Sequence, residues 1–316
     1  MTRVGIVGAG ISGLACAQRL SDHGIDVSLV DKGNRPGGRL ASVTIDDMAW
    51  DIGAPHFTAR QPEFFEQAER WRNAGWTASW SNGPSAAYVG VPSMAALVTR
   101  QCEFLDARFG ALVQRIERED ESWYMTGSDF REGPFAAMVI AVPAEQAATL
   151  LSLHDLEWAG DVAAVRSTPC WSVMAAFTAP VASRESVLAC DGVLASAVRN
   201  SSKPGRGAAE CWVLQASAQW SRANLELPRE DVAKLLLEEF GNELEYPMPG
   251  IIFAKAHRWR FALPFGLYGS SRWNHDQRLG ACGDWCTGPT VEEAWLSGND
   301  LGRQIVACFQ AIAAQT

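Results

Sequence analysis

The feature that most restricts how this chain can fold is a glycine-rich turn near its start. Residues 4–7 form a short apolar run that leads directly into Gly8, Ala9, Gly10, Ile11, Ser12 and Gly13. Residues 11–23 then carry Ile11, Leu14, Ala15 and Leu20 at helical spacing, and a second apolar run at 27–30 ends in Asp31. Strand, glycine turn, helix and strand in that order predict a βαβ unit. Gly8 permits the tight turn, Gly10 lets the backbone approach a pyrophosphate, and Gly13 allows the helix to pack closely. The N–H groups opening the helix, at Ile11 and Ser12, and the positive end of its dipole favour an anion there. Asp31, 21 positions after Gly10, is placed to accept hydrogen bonds from ribose hydroxyls. The pattern predicts a Rossmann-type dinucleotide-binding domain.

The remaining chain predicts a second, different architecture. A helix begins at Pro62 and carries Phe64, Phe65, Ala68 and Trp71 up to a stop at Asn73, Ala74 and Gly75. A tryptophan-rich stretch at 76–91 leads to a short helix after Pro92. Residues 104–125 read as a hairpin or meander, with β-type segments at 111–116 and 123–125 and a charged turn at 117–121 between them. Residues 138–142, closed by Pro143, read as a strand returning to the first sheet. Strands then follow at 171–177, 193–198, 211–216 and 251–256, with one amphipathic helix at 232–240, which suits an antiparallel sheet with a helix packed on it. A last short strand at 278–282 and a helix over 291–313 return to the first domain. The expected fold class is α/β, with a discontinuous first domain of residues 1–62, 92–144 and 271–316 and an α+β substrate domain of residues 63–91 and 145–270.

Composition narrows the function classes. A net charge of −9 disfavours a broad electrostatic footprint for nucleic acid or anionic lipid and points to a small-molecule partner. The first apolar run meets glycines too soon for a secretory signal, and no run is long enough to span a membrane. The eight cysteines are scattered, without paired zinc-type spacing or a disulfide framework, so buried thiols in a reducing cytoplasm are expected. Cys282 and Cys286 stand four apart and offer a redox pair as a competing reading. No metal-ligand cluster, GxSxG elbow or P-loop is visible.

Two further motifs choose between dinucleotides. Arg35, Pro36, Gly37, Gly38, Arg39 and Leu40 follow soon after Asp31 and resemble the Arg-x-Gly-Gly-Arg signature of the flavin amine oxidase and protoporphyrinogen oxidase superfamily. Gly280, Ala281, Cys282, Gly283, Asp284 and Trp285 resemble its second FAD fingerprint. That resemblance implies that Arg39 meets the phosphates and Asp284 the ribityl chain. A helix starting near Val291 would direct its N-terminus at the flavin N1/C2 edge.

Several longer blocks resemble renalase, and the bacterial renalase-like proteins in particular. They are Asp51 to Arg60 (DIGAPHFTAR), Gln219 to Leu225 (QWSRANL), Ala256 to Trp259 (AHRW), and Val291 to Gly298 (VEEAWLSG). The resemblance implies a two-domain fold of the p-hydroxybenzoate hydroxylase type and FAD bound without a covalent link. The implied activity is oxidation of 2-dihydro or 6-dihydro isomers of NAD(P)H, with hydride passing to flavin N5 and O2 reoxidising the flavin to give H2O2. It also implies cofactor contacts at Lys32, Gly53, Ala54, Val113, Gly283, Val291, Glu292 and Ala294, and substrate contacts at His56, Phe57, Thr58, Ala59, Arg60 and His257. No catalytic base is required, because a dihydropyridine becomes aromatic on losing a hydride alone. Pro55 and His56, Glu293, and Pro36 depart from the usual family pattern, the first pair within the block implied to meet substrate. A flavin amine oxidase or desaturase is the alternative, with Cys282 or Cys286 as sites of covalent FAD attachment. For each tryptophan, including Trp220, Trp259, Trp285 and Trp295, core packing is the competing reading to a pocket wall.

Overall fold

The computed structural model describes residues 2–265 and 269–314, and residues 1, 266–268 and 315–316 of the ranges drawn above lie outside them. The chain forms two compact units, one of residues 1–38, 98–166 and 264–316 and the other of residues 39–97 and 167–263. Residues 39–62 and 92–97 pack within the second unit, and 145–166, 264–265 and 269–270 within the first, opposite to the ranges expected from sequence. The causes are local: Trp50 and Ile52 bury against Met174, Ala176 and Val213, whereas Leu150, Trp158 and Val162 bury against Met138, Ile140 and Trp285.

The first unit is built on a six-stranded sheet in the order Arg272–Asn274, Leu279–Ala281, Ala137–Ile140, Arg3–Val7, Asp26–Val30, Asp106–Arg108. Its strands run parallel except for Arg272–Asn274, which pairs antiparallel with Leu279–Ala281. Near-continuous apolar sequence in the central strands follows from burial on both faces. Helices Ile11–Ser21 and Val291–Ala313 pack closely together; a Cβ at Gly298 would stand 1.9 Å from the Ser12 carbonyl oxygen. A three-stranded antiparallel sheet, Arg115–Glu119, Ser122–Thr126 and Arg131–Phe135, completes the unit. The sequence reading missed the third of these strands and placed the first too early, because Arg115 to Glu119 carries one buried residue among charges.

In the second unit a five-stranded sheet runs Val187–Ala189, Leu194–Arg199, Glu210–Ala216, Arg166–Phe177, Ile251–Phe265, its first four strands antiparallel. The strand Arg166–Phe177 alternates at period two. Trp171, Val173, Ala175 and Phe177 face helix Arg229–Asn242, which buries Val232, Leu236 and Phe240 against them. Met174 and Ala176 face the other way and pack with Trp50 and Ile52. With both faces covered, the strand reads as continuously apolar over residues 173–177. The hairpin Ser42–Ile45 and Met48–Asp51 is thereby fixed to the sheet, and it delivers the chain directly into residues 52–60.

Candidate functional site

In the first unit the motifs meet at one edge of one sheet. Gly8 follows Arg3–Val7, Asp31 follows Asp26–Val30, and Cys282 follows Leu279–Ala281, so all three leave the carboxyl ends of parallel strands, where open α/β sheets bind ligands. Gly8 has φ +111°, and a Cβ there would lie 2.5 Å from the Ala141 carbonyl oxygen. At Gly10 an added Cβ meets nothing within 4 Å, so that face of the turn is open. Gly10 also caps helix Ile11–Ser21 without any side-chain hydrogen bond, leaving the first-turn N–H groups directed at the open face. Ile11 and Ser12 themselves are buried.

Asp31 binds the turn together. Its Oδ2 accepts the Ala9 N–H at 2.6 Å and its Oδ1 accepts the Gly33 N–H at 2.6 Å. Gly37 donates its N–H to the Ala9 carbonyl at 3.0 Å, folding the segment after Asp31 over the glycine turn. Lys32 donates to Gln146 Oε1 at 2.9 Å, and Val113 packs in the core of the unit.

The segment around Gly283 is held from helix Val291–Ala313. Ser297 Oγ accepts the Gly283 N–H at 3.0 Å, and Trp285 donates its indole N–H to the Val142 carbonyl at 3.0 Å. Asp284 and Glu292 are buried, as are Val291 and Ala294. Thr290 caps the helix by accepting the Glu293 N–H at 3.1 Å. The Glu293 Cγ lies 3.5 Å from where a Cβ on Gly288 would stand, so its side chain turns back along the preceding loop. Burial pushes the Cys282 and Cys286 thiols up to about 12, so both stay protonated at neutral pH; neither is a thiolate poised for redox exchange. Trp285 and Trp295 are core residues.

The second unit holds Arg39, Gly53, Ala54, the 56–60 block and His257. Gly53 packs so tightly that a Cβ would lie 1.9 Å from the Arg39 carbonyl oxygen, and Ala54 donates its N–H to that same oxygen at 2.9 Å. The Ile52 carbonyl accepts from the Trp259 indole at 2.9 Å, and the Gly53 carbonyl accepts from Gln215 Nε2 at 2.9 Å. Side chains from distant strands therefore fix the backbone that leads into His56. The Arg39 guanidinium donates to the Ala262 carbonyl at 3.1 Å.

His56, Thr58 and Ala59 are half-buried and Arg60 is exposed. Phe57 is different: it is buried, stacks on Tyr88 with centroids 5.6 Å apart, and exchanges both backbone hydrogen bonds with it. Its ring contributes to packing among Phe64, Trp71 and Tyr88, not to an open surface. Burial, with the Lys203 charge second, lowers the His56 imidazole below its ordinary value. His257 stands on the long strand with its ring 4.4 Å from that of Trp259, and burial, Arg229 and Lys255 lower it likewise.

The sequence reading did not find the most charged feature of this unit. Asp51 is wholly buried, and Lys203 Nζ and Arg206 Nη2 donate to its Oδ2 at 2.9 and 2.6 Å. Ser42 Oγ donates to Oδ1 at 2.7 Å and the Met94 N–H at 3.0 Å. Burial would push the Asp51 carboxyl up, but Lys203, Arg206 and the Met94 N–H overcome it and hold it at about 2. Burial lowers Lys203, with Asp51 opposing. The one signal in the sequence is a carboxylate ending the apolar run Met48, Ala49 and Trp50; nothing local ties it to residues 152 and 155 positions away.

Comparison with known proteins agrees with this geometry. A family described as an NAD(P)-binding Rossmann-like domain matches residues 6–71. Cyclohexylamine oxidase from Brevibacterium oxydans superposes with a TM-score of 0.74 at 12% identity, covering 98% of this chain and 99% of that one. A putrescine oxidase redesigned in cofactor binding gives 0.72 at 14% identity, covering 97% and 99%. The fold is that of the flavin amine oxidase structures. Among curated sequences, protoporphyrinogen oxidase 2 of Arabidopsis thaliana is 44% identical over 61 residues, which are 19% of this chain and 12% of that protein. A zeta-carotene-forming phytoene desaturase of Myxococcus xanthus is 41% identical over 68 residues, 22% and 13% respectively. The chain thus covers about an eighth of the length of these curated relatives. Among the described residues no helix is long and apolar enough to cross a membrane, and no group of three potential ligands could hold a metal ion.

Proposed function

We propose that the protein is an FAD-dependent oxidoreductase, with FAD bound non-covalently, that oxidises 2-dihydro or 6-dihydro isomers of NAD(P)H. The open, uncapped helix start at Gly10, with Asp31 fixed beside it, carries the dinucleotide part of this reading. These residues fit the group: the N–H groups of Ile11 and Ser12 would hold pyrophosphate oxygens, and the remaining lone pairs of Asp31 would accept ribose hydroxyls. The chemistry FAD would supply when bound is acceptance of the substrate hydride at N5 and return of two electrons to O2, which with a proton from water gives H2O2. The choice of FAD over NAD rests on the two signatures at Arg35 to Arg39 and Gly280 to Asp284.

The substrate assignment rests on the renalase-like blocks around residues 51–60, 219–225 and 291–298. In this reading the chain supplies binding and orientation, not proton transfer. His56, held neutral at physiological pH by its surroundings, offers a hydrogen bond without acting as an acid, and Arg60 offers a guanidinium for a substrate phosphate. Partners are the small-molecule substrate and O2, with no nucleic acid or membrane, in the cytoplasm. A flavin amine oxidase or desaturase is the second reading, favoured by the superposition on cyclohexylamine and putrescine oxidases.

Denaturing the purified protein should release free FAD into the supernatant; a colourless protein, or flavin that stays with the precipitated chain, contradicts the cofactor assignment. Peroxide should then form on mixing aerobic enzyme with 6-dihydro-NAD and not with a primary amine. Peroxide from the amine alone supports the second reading.

A further inference from the structure

The second unit buries more positive than negative charge. Lys203 and Arg206 share Asp51 as their carboxylate, and the three side chains are 0, 1 and 1% exposed. Their other partners are neutral: Asn200 Oδ1 accepts from Lys203 Nζ at 2.8 Å, and the Gly90 and Pro204 carbonyls each accept from Arg206 at 2.9 Å. Two cations against one anion leave an excess positive charge where water cannot screen it.

Trp80 links that charge to the 56–60 block. Lys203 Nζ lies 5.5 Å from the centroid of the Trp80 ring, and the same ring lies 6.0 Å from that of His56, which puts the charge within about 11.5 Å of the imidazole. Ser202 Oγ accepts the Trp80 indole N–H at 3.2 Å and fixes the indole next to Lys203. The Nδ1 atom of His56 is buried and has no hydrogen-bond partner among the described residues.

We propose that Lys203, through the excess charge it shares with Arg206, is a specificity-determining residue: the position beside His56 takes an anionic group and rejects an ammonium group. This rests on the reading that residues 56–60 face substrate, and it gives that site a sign. At about 11 Å and an effective dielectric near 20, one unit charge changes the affinity of an ion by roughly tenfold. The effect has opposite sign for an anion and a cation, so the two differ by roughly a hundredfold. His56 does not change this sum, because burial and the Lys203 charge keep its imidazole neutral.

Three nearly isosteric probes test the sign: benzoate, benzyl alcohol and benzylammonium, titrated calorimetrically into the FAD-loaded protein at pH 7.5. Benzoate is expected to bind about tenfold more tightly than benzyl alcohol, and benzylammonium about tenfold more weakly. Asn200→Asp sets a second carboxylate against Lys203 Nζ, and Lys203→Met removes the ammonium. Each should bring the three affinities within about threefold while leaving benzyl alcohol unchanged, a selective effect that general loosening of the fold does not produce. Should either variant fail to fold, the order of the three probes on the unsubstituted protein decides. Benzylammonium binding as tightly as benzoate, an order that persists in both variants, or no binding of any probe overturns the proposal. His56→Ala separates the two layers: benzoate affinity unchanged by it shows that the block does not face the ligand, whereas equal weakening of all three probes without any dependence on charge removes only the role of Lys203.

Discussion

Asp31 accepts the backbone N–H of Ala9 at 2.6 Å, across 22 positions of sequence. A carboxylate at the end of the second strand thus shapes the glycine turn after the first, before any ligand arrives. Its other oxygen accepts from Gly33, so both loops at the edge of the sheet are tied to a single side chain.

Asp31→Ala should therefore weaken FAD retention by about 1.5–3 kcal/mol, the typical worth of hydrogen bonds to a charged group. The loss combines ribose contacts with a loosened turn. Equilibrium dialysis of FAD against the apoprotein measures it, and an unchanged affinity places the ribose elsewhere.

The buried Asp51 trio predicts an asymmetric response to substitution. Asp51→Asn leaves Lys203 and Arg206 buried together with no anion and should cost about 3–5 kcal/mol. Arg206→Met leaves the Asp51 and Lys203 pair intact and should cost less. Urea unfolding of the two variants gives the comparison; equal costs would mean that charge compensation is not what stabilises the cluster.

Much of the first unit was legible because its signals are local. The glycine turn, the apolar runs and Asp31 lie within 31 residues and each element's period is visible by itself. Long-range pairing was not legible. In the strand Ile251–Phe265 the β pattern is legible only to residue 256, because His257, Arg258 and Arg260 break it on a strand that is half exposed. Nothing in the sequence sets Phe57 apart from its neighbours, although burial against Tyr88 sends its ring into the core. Lys203 and Arg206 sit in a short polar connection that looks like any surface loop; only the fold brings them onto Asp51.

Acid should destabilise the protein in two windows. His56 and His257 have folded-state values below the ordinary 6.5, so the unfolded chain takes up protons first as pH falls below about 6.5, and stability drops. Asp51, held at about 2 against an ordinary 3.8, contributes stability that is present above that ordinary value and lost as pH falls toward 2. Melting temperatures between pH 7.5 and 5.5 isolate the first window. His56→Gln should flatten part of that slope, and a slope of opposite sign would show that the imidazoles are stabilised as cations.

Trp259→Phe removes the indole donor to the Ile52 carbonyl while keeping an aromatic ring, and should cost about 1 kcal/mol. Gln215→Leu, which strips the donor from the Gly53 carbonyl, should cost a similar amount. Both should raise the KM for substrate more than they lower kcat, because they act by positioning the segment before His56. Thermal melts with steady-state kinetics check the two effects together, and a drop in kcat alone would contradict a positioning role.

The central claim concerns the reaction, and anaerobic stopped-flow absorbance tests it most directly. Oxidised protein is mixed in turn with 2-dihydro, 6-dihydro and ordinary 4-dihydro NAD(P)H and with a primary amine, and bleaching of the flavin band is followed. Each isomer carries its hydride on a different ring carbon, and a site that brings C2 or C6 to about 3–3.5 Å from N5 leaves C4 misaligned, a loss of several orders of magnitude in rate. Rapid bleaching by the 2-dihydro or 6-dihydro isomer, with little response to the other two compounds, is the expected result. Rapid bleaching by the amine and none by the dihydronicotinamides would contradict the substrate assignment and establish an amine oxidase.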